Sequence, residues 1–296
     1  MSRLIHLIVN PKGGTLDNRA LAQRAQEHFK SRKIQVSSTF TAHKGHARTI
    51  AQSIPVQSET MICGLGGDGT IHEIINGNMQ RPETERMPIA ILPGGTGNSF
   101  LDDLGLLHFE KALNQVCLFQ VRPVDLLRVR LDNQLCYVFN VCGWGLFASG
   151  NASAESLRCL KKQRYHVAGI WEIIRNKSQN ATLTFANESR EGRFSLIVAS
   201  NTRCVGRAML ISPKASWNDG KLDLTFLKKT NRVSLLRMFL KLPKGTHIQE
   251  TKINYVQTKS YTIQSPHPSL WNLDGEVYSG SKGDIEIRPG AVQICM

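Results

Sequence analysis

Thr60-Met61-Ile62-Cys63-Gly64-Leu65-Gly66-Gly67-Asp68-Gly69-Thr70-Ile71-His72-Glu73-Ile74-Ile75-Asn76-Gly77 is the stretch on which the fold turns. Thr60–Cys63 is apolar and reads as a buried strand. It runs into Gly66–Thr70, and Ile71 to Asn78 reads as a helix stopped by Gly77. The same grammar holds on either side. Leu4–Val9 is a short apolar strand ending at Asn10-Pro11. From Leu16 to Lys33, Leu21, Ala25 and Phe29 recur at helical spacing. Ile34–Thr41 alternates as a strand, Gly45–Ser53 suits a short helix, and Pro88–Leu92 runs into Pro93-Gly94-Gly95-Thr96-Gly97-Asn98. Strands alternating with helices imply a parallel sheet covered on both faces. Residues 1–121 are therefore expected to form a doubly wound α/β domain.

The style changes near Val121. Val121–Leu131, Leu135–Val141, Ala181–Ala186, Phe194–Ser200, Lys221–Lys228, Lys252–Val256, Ser260–Gln264, Asp284–Arg288 and Val292–Cys295 are short, β-rich and separated by turn residues. They predict an antiparallel β-sandwich over 122–296, whose last strand can return toward the first domain. Two helices interrupt it: Glu155–Lys177, with Leu157, Leu160, Val167, Trp171 and Ile174 on one face, and Val233–Leu242.

The 296 residues carry 37 Lys and Arg against 23 Asp and Glu, a net charge of +14. That balance favours anionic partners, namely nucleic acid, nucleotide phosphates or an acidic membrane surface. The longest uncharged run, Asn133–Ala154, contains too many polar residues and glycines for a membrane span. The N-terminus reads as a strand, not a signal peptide. Seven cysteines, odd in number, widely spaced and without a CxxC pair, point to reduced thiols in the cytosol. No DNA- or RNA-binding motif appears, so nucleic acid is not expected as a partner.

Two strand-to-loop junctions carry the chemistry. In Gly66-Gly67-Asp68-Gly69-Thr70, glycines permit positive φ and close approach to a ligand. The loop leads into a helix N-terminus that favours anions, with Thr70 as a plausible N-cap. Asp68 would repel a bare phosphate and suits a phosphate-bound Mg²⁺, directly or through water. Pro93–Asn98 repeats the design, and both loops can line one cleft at the strand ends. The plain alternative is a pair of tight turns. Neither a Walker-type GxxxxGK[ST] nor a dinucleotide GxGxxG is present.

Asn10-Pro11-Lys12-Gly13-Gly14, Gly66–Thr70, Glu73 with Asn76-Gly77, Pro93–Asn98 and Leu273-Asp274-Gly275-Glu276 together resemble, in order and spacing, the bacterial diacylglycerol-kinase-like lipid kinases. These share a catalytic domain with sphingosine and ceramide kinases. The glycine-Asp-glycine loop also resembles NAD kinases, which leaves phosphorylation of a soluble nucleotide as the alternative. The second loop and the late Leu-Asp-Gly-Glu favour the lipid kinases. The resemblance implies an ATP site between the two domains, with Gly66, Gly67, Asp68, Gly69, Thr70, Ile71, His72, Thr96, Thr41 and Asn10 in nucleotide-contacting positions. It implies a base in Leu273–Glu276, with Glu276 as proton acceptor and Asp274 as orienting or metal-linked partner; the plain alternative is an exposed acidic turn. It implies a structural Mg²⁺ held by the Asp219 carboxylate and the carbonyls of Ser216 and Lys221. Unaided, Asn218-Asp219-Gly220 reads as a hairpin turn. One departure stands out: the family usually continues its second loop as Asn-Asp-Phe-Ala, and this chain has Asn98-Ser99-Phe100-Leu101.

The acceptor is then a membrane lipid: diacylglycerol, phosphatidylglycerol or a sphingoid-type alcohol. Arg158, Lys161, Lys162, Arg164, Arg175 and Lys177 on the first helix, and Lys228, Lys229, Arg232, Arg237, Lys241 and Lys244 around the second, suit peripheral contact with an anionic inner membrane face. Solvated helix faces explain such runs equally simply. A homodimer is compatible with the sequence. His43, His46 and His72 lack zinc spacing, and His6 reads as a satisfied core residue. Trp171, Trp217, Trp271 and Phe147 suit either an acyl pocket or core packing.

Overall fold

Leu4, Ile5, Leu7, Ile8 and Val9 leave few polar side chains in the first strand, as expected where helices cover both faces of a parallel sheet. The computed structural model describes residues 3–14, 17–156, 164–206 and 209–296. They divide into two units: residues up to Val124 with Gly290–Met296, and Asp125–Pro289.

In the first unit the order is β1 (Leu4–Val9), α1 (Asn18–Ser31), β2 (Gln35–Phe40), α2 (His46–Ser53), β3 (Thr60–Gly66), α3 (Asp68–Met79), β4 (Ile89–Pro93), α4 (Ser99–Asp103) and α5 (Phe109–Leu118). β1 pairs in parallel with β2 on one side, Val9 opposite Phe40, and with β3 on the other, Val9 opposite Leu65. β4 pairs in parallel with β3, and Ile294 near the chain's end pairs with Ile89 of β4. The chain therefore winds outward from β1 in one direction and then in the other. That makes a doubly wound sheet whose switch point lies between β1 and β3. Asp17 caps α1 by accepting from the Arg19 and Ala20 amides, and Ala22, Ala25 and Phe29 are its buried stripe. Burying a side chain such as Phe29 contributes about 1.5–3 kcal/mol.

Two helix signals resolve differently from the sequence reading. α3 begins at Asp68 with Gly67 as N-cap, so Thr70 lies inside the first turn instead of capping it. Gly77 does not stop the helix, which runs to Met79. A Cβ at Gly77 would sit 2.2 Å from the Arg48 carbonyl oxygen, so the glycine serves close packing of α3 on α2. His6 is only half-buried and its Nε2 has no partner, so it is not a satisfied core residue.

The second unit is antiparallel. β5 (Val121–Leu131) enters it and pairs with β6 (Gln134–Val138). There follow β7 (Val141–Gly145), α6 (Leu146–Ser156), α7 (Arg164–Arg175), β8 (Gln179–Phe185), β9 (Glu188–Ser200), β10 (Leu222–Lys228), α8 (Arg232–Lys241), β11 (Ile253–Thr258), β12 (Ser260–Leu273) and β13 (Glu276–Cys295). β7 and β8 lie end to end in one slot between β9 and β12, since each pairs with both. Trp144, Trp271, Phe194, Phe226, Leu183 and Ile263 pack in the core of this β-sandwich.

Here too the boundaries differ. The expected strand Leu135–Val141 is two strands, β6 and β7. Asp284–Arg288 and Val292–Cys295 are parts of one long β13. The expected helix Glu155–Lys177 is represented by α6 and α7; Leu157, Leu160, Arg158, Lys161 and Lys162 lie outside the described residues. Its predicted apolar face is solvent-exposed: Val167, Trp171 and Ile174 are 43, 54 and 53% accessible. Six cysteines, 63, 117, 136, 142, 204 and 295, are free thiols, and Cys159 lies outside the described residues. Among the described residues no helix is long and apolar enough to cross a membrane.

Candidate active site

Because β1, β2, β3 and β4 run parallel, their following loops share one edge of the first unit's sheet. Thr41 follows β2 and donates its N–H to the Val9 carbonyl at 2.8 Å, which sets it beside the end of β1. Asn10, the next residue after β1, reaches across the switch point: its Nδ2 donates to Thr70 Oγ1 at 3.0 Å. The three glycine loops then close on one another, backbone to backbone. A Cβ at Gly95 would lie 2.3 Å from Gly67 Cα, one at Gly94 2.9 Å from Gly66 N, and one at Gly14 2.9 Å from Gly95 Cα. Gly67 itself has φ −95°, and at the strand end its neighbour Gly66 is equally free of positive φ. Of this loop's glycines Gly66 is required by close approach, since a Cβ there would lie 2.6 Å from Thr70 Oγ1, and the expectation of left-handed backbone in the loop is corrected.

Asn18 fastens this arrangement. It is fully buried, and its Nδ2 points at the carbonyl oxygens of Asn10 (2.8 Å), Gly13 (3.1 Å) and Gly94 (3.0 Å). Asn98, in left-handed conformation at φ 55°, donates to the Gly95 carbonyl at 3.1 Å. Asp68 accepts from Ser99, N–H to Oδ1 at 2.9 Å and Oγ to Oδ2 at 3.3 Å. Glu73 accepts the Gly45 and Ala47 amides at 2.7 and 3.1 Å, so its carboxylate serves the start of α2. Ile71 and His72 are buried, Ile71 against Gly64 of β3. Thr96 is half-buried at the same edge.

In the second unit, Asp274 stands at φ 53°, is 4% exposed, and accepts three backbone amides: Phe139 on Oδ2 at 3.0 Å, Asn140 and Val141 on Oδ1 at 2.9 and 3.0 Å. Glu276 opens β13 and is half-buried. Asn151 Nδ2 donates to the Gly275 carbonyl between them at 2.6 Å. The stretch before β10 is a turn, but β9 ends at Ser200 and among the described residues no strand runs directly into it, so Asn218-Asp219-Gly220 is not a hairpin turn. Asp219 Oδ1 accepts the Lys221 amide at 3.0 Å, Ser216 Oγ donates to Asn218 Oδ1 at 3.0 Å, and Gly220 N donates to Asp125 Oδ2 at 2.7 Å. Among the described residues no three His, Cys, Asp or Glu side chains gather as a metal cluster.

Comparison with known proteins joins the two halves. Residues 4–129 match the diacylglycerol kinase catalytic domain, and residues 140–296 match the YegS C-terminal NAD kinase beta sandwich-like domain. The chain belongs to the diacylglycerol-kinase-like lipid kinases. A diacylglycerol kinase of Bacillus subtilis is 27% identical over 93% of this chain and 89% of its own length. Sphingosine kinase 1 of Arabidopsis thaliana is 24% identical over 95% of this chain and 68% of its own. The crystal structure of a diacylglycerol kinase from Bacillus anthracis has the same fold, with a TM-score of 0.80 at 23% identity over 99% of this chain and 96% of that one.

As a lipid kinase of this family, the chain is a phosphotransferase acting on an alcohol group. α3 starts at the switch point with no side-chain cap, so the positive end of its dipole lies at this loop edge, a position that favours an anion. Asn18 is the residue the sequence reading passes over. Asn18 follows a capping Asp and looks like ordinary helix start; only its burial reveals its role. Ser99 was visible as a departure, but its bond to Asp68 was not.

Proposed function

We propose that this lipid kinase transfers the γ-phosphate of ATP to the hydroxyl of a membrane lipid, in the class of diacylglycerol, phosphatidylglycerol or sphingoid-type alcohols. The observation that carries the reading is the uncapped start of α3 at the switch point, bridged by the Asn10–Thr70 hydrogen bond. Asn10, Thr41, Thr96 and Gly66–His72 hold the nucleotide, Ile71 and His72 through backbone alone because their side chains are buried. Asp68, oriented by Ser99, would hold, directly or through water, the Mg²⁺ that accompanies the triphosphate. Bound Mg²⁺-ATP supplies the phosphoryl group and neutralises its charge.

Glu276 takes the proton of the lipid hydroxyl as the oxygen attacks. Asp274 does not compete for that role: its two oxygens are committed to three amides, which supports an orienting part for it. Asp219, with the carbonyls of Ser216 and Lys221, remains the proposed structural Mg²⁺ site, supported by the turn that fixes the Asp219 carboxylate. The enzyme works in the cytoplasm at the inner membrane face.

The test uses γ-labelled ATP and Mg²⁺ with dispersed diacylglycerol, phosphatidylglycerol or sphingosine, and NAD as a soluble acceptor. Label is expected in a lipid, and Glu276→Gln is expected to abolish it. Label appearing in NAD alone would overturn the proposal.

A further inference from the structure

α7 and α8 are two helices of the second unit whose apolar residues point both ways. Ala168 and Ile173 of α7 and Leu235 and Met238 of α8 are buried, and Ile173, Leu235 and Met238 share a cluster with Leu227 of β10. The helices also pack side by side and antiparallel. A Cβ at Gly169 would lie 2.7 Å from the Phe239 ring, and Arg232 Nε donates to the Ile174 carbonyl at 2.7 Å.

At 100° per residue, Val167, Ile170, Trp171 and Ile174 form a stripe opposite the buried side of α7. They are 43, 44, 54 and 53% exposed. Val233, Leu236 and Leu240 form the matching stripe on α8, at 78, 41 and 68%. Both helices bury their inner faces in one cluster, so both outer stripes face the same way. Seven large apolar side chains in adjoining stripes exceed the scattered exposure ordinary for a protein surface.

The charge around this face has one sign. Segments 166–178 and 228–250 hold eight Lys and Arg and only two acids, Glu172 and Glu250. Glu172 is buried against Arg175, and Glu250 is paired with Arg237 and Lys241. Lys177, Lys228, Lys229 and Lys244 are exposed. An apolar face rimmed by unopposed lysines fits the boundary between acyl chains and anionic headgroups.

We propose that the outer faces of α7 and α8 form a membrane-docking surface, whose partner is an anionic phospholipid bilayer and whose apolar stripe enters the acyl boundary. The proposal rests on the lipid-kinase reading only for its purpose, which is to bring the enzyme to an acceptor embedded in that bilayer.

Trp171 is the built-in reporter, because Trp144 and Trp271 are fully buried and Trp217 is half-buried. The full chain is mixed with vesicles of phosphatidylcholine, with or without phosphatidylglycerol. On the anionic vesicles, Trp emission should shift to the blue and be quenched by brominated acyl chains, and Trp171→Phe should lose both responses. Ile170→Glu with Ile174→Glu should lower vesicle partition at least about tenfold. Lys177→Glu with Lys244→Glu should remove the preference for phosphatidylglycerol. Each variant should keep wild-type turnover of a monomeric short-chain diacylglycerol. Unchanged Trp171 emission on vesicles, or wild-type partition by the Ile170/Ile174 variant, would overturn the proposal. So would a dimer in sedimentation that the same variant dissolves, which would give the face to a second copy. Absence of turnover on every lipid, with docking intact, would count against the kinase reading and leave the docking surface standing.

Discussion

Ser99 donates its backbone N–H to Asp68 Oδ1 at 2.9 Å, and its hydroxyl lies 3.3 Å from Oδ2 of the same carboxylate. The second glycine loop thereby sets the direction of the one acid in the first. Ser99→Ala keeps the N–H bond and should lower kcat/KM only a few-fold. Ser99→Asp restores the family's residue and places two carboxylates side by side, an arrangement that resists double ionisation unless a cation intervenes. Its melting temperature should fall in a chelator and recover with Mg²⁺, whereas the wild-type chain should respond far less. Equal Mg²⁺ sensitivity of the two chains in thermal unfolding would refute this.

The glycine loops predict a contrast between neighbours. At Gly95 a new Cβ would meet Gly67 Cα at 2.3 Å and Gly67 N at 2.9 Å, backbone atoms that cannot turn aside. At Gly67 a new Cβ would meet only Gly95 Cα, at 3.4 Å, an ordinary contact. Gly95→Ala should therefore cost about 1–3 kcal/mol and weaken ATP binding as the loops part. Gly67→Ala should cost about 1 kcal/mol, as replacement of a capping Gly does. Urea midpoints and ATP titration of both variants measure the difference.

The alternation of buried strand, glycine turn and helix made the first unit legible, because a parallel sheet leaves near-continuous apolar runs such as Leu4–Val9 and Ile89–Leu92. The second unit was legible as β-rich but not in its boundaries. β13 continues for twenty residues through Gly280, Gly283, Pro289 and Gly290, which read locally as turns and leave only Asp284–Arg288 and Val292–Cys295 legible as strands. α7 misled for the opposite reason. Its apolar stripe, Val167, Trp171 and Ile174, has the period of a core face, and nothing in the period tells burial against protein from exposure. In the site, glycine spacing was informative, whereas Asn18 was silent: its three carbonyl partners lie up to 76 residues away in sequence.

Asp223 gives the protein a pH dependence of known sign. It is 1% exposed, and burial raises its pKa despite hydrogen bonds from Tyr255 at 2.5 Å and Gln257 at 3.3 Å, while its Oδ2 has no partner. A carboxyl that holds its proton more tightly when folded stabilises the fold fully below its unfolded pKa. That contribution is lost as pH rises through the raised folded value. Asp223→Asn cannot ionise and should remove this slope. As pH rises above the ordinary carboxylate value of about 4, the wild type should lose stability relative to the variant, read from urea midpoints. A constant difference across that range would show that Asp223 titrates alike in both states.

Asp274 and Glu276 lie two residues apart and should fail in different ways. Asp274 anchors the Phe139, Asn140 and Val141 amides from a buried carboxylate. Asp274→Ala strands three buried donors and should cost about 3 kcal/mol or more, seen as a lowered melting temperature. Asp274→Asn retains an acceptor but turns an NH₂ toward one of those amides, and should be intermediate. Glu276 is half-buried at the start of β13, and its Gln variant keeps the side chain's shape. Glu276→Gln should change stability by no more than about 0.5 kcal/mol. As the proposed proton acceptor, it should lower kcat about 10²–10⁴-fold with ATP binding unchanged. If Glu276→Gln turned over normally while a cooled, fully folded Asp274→Asn did not, the base would be Asp274, and its three amides would be holding the reacting group itself.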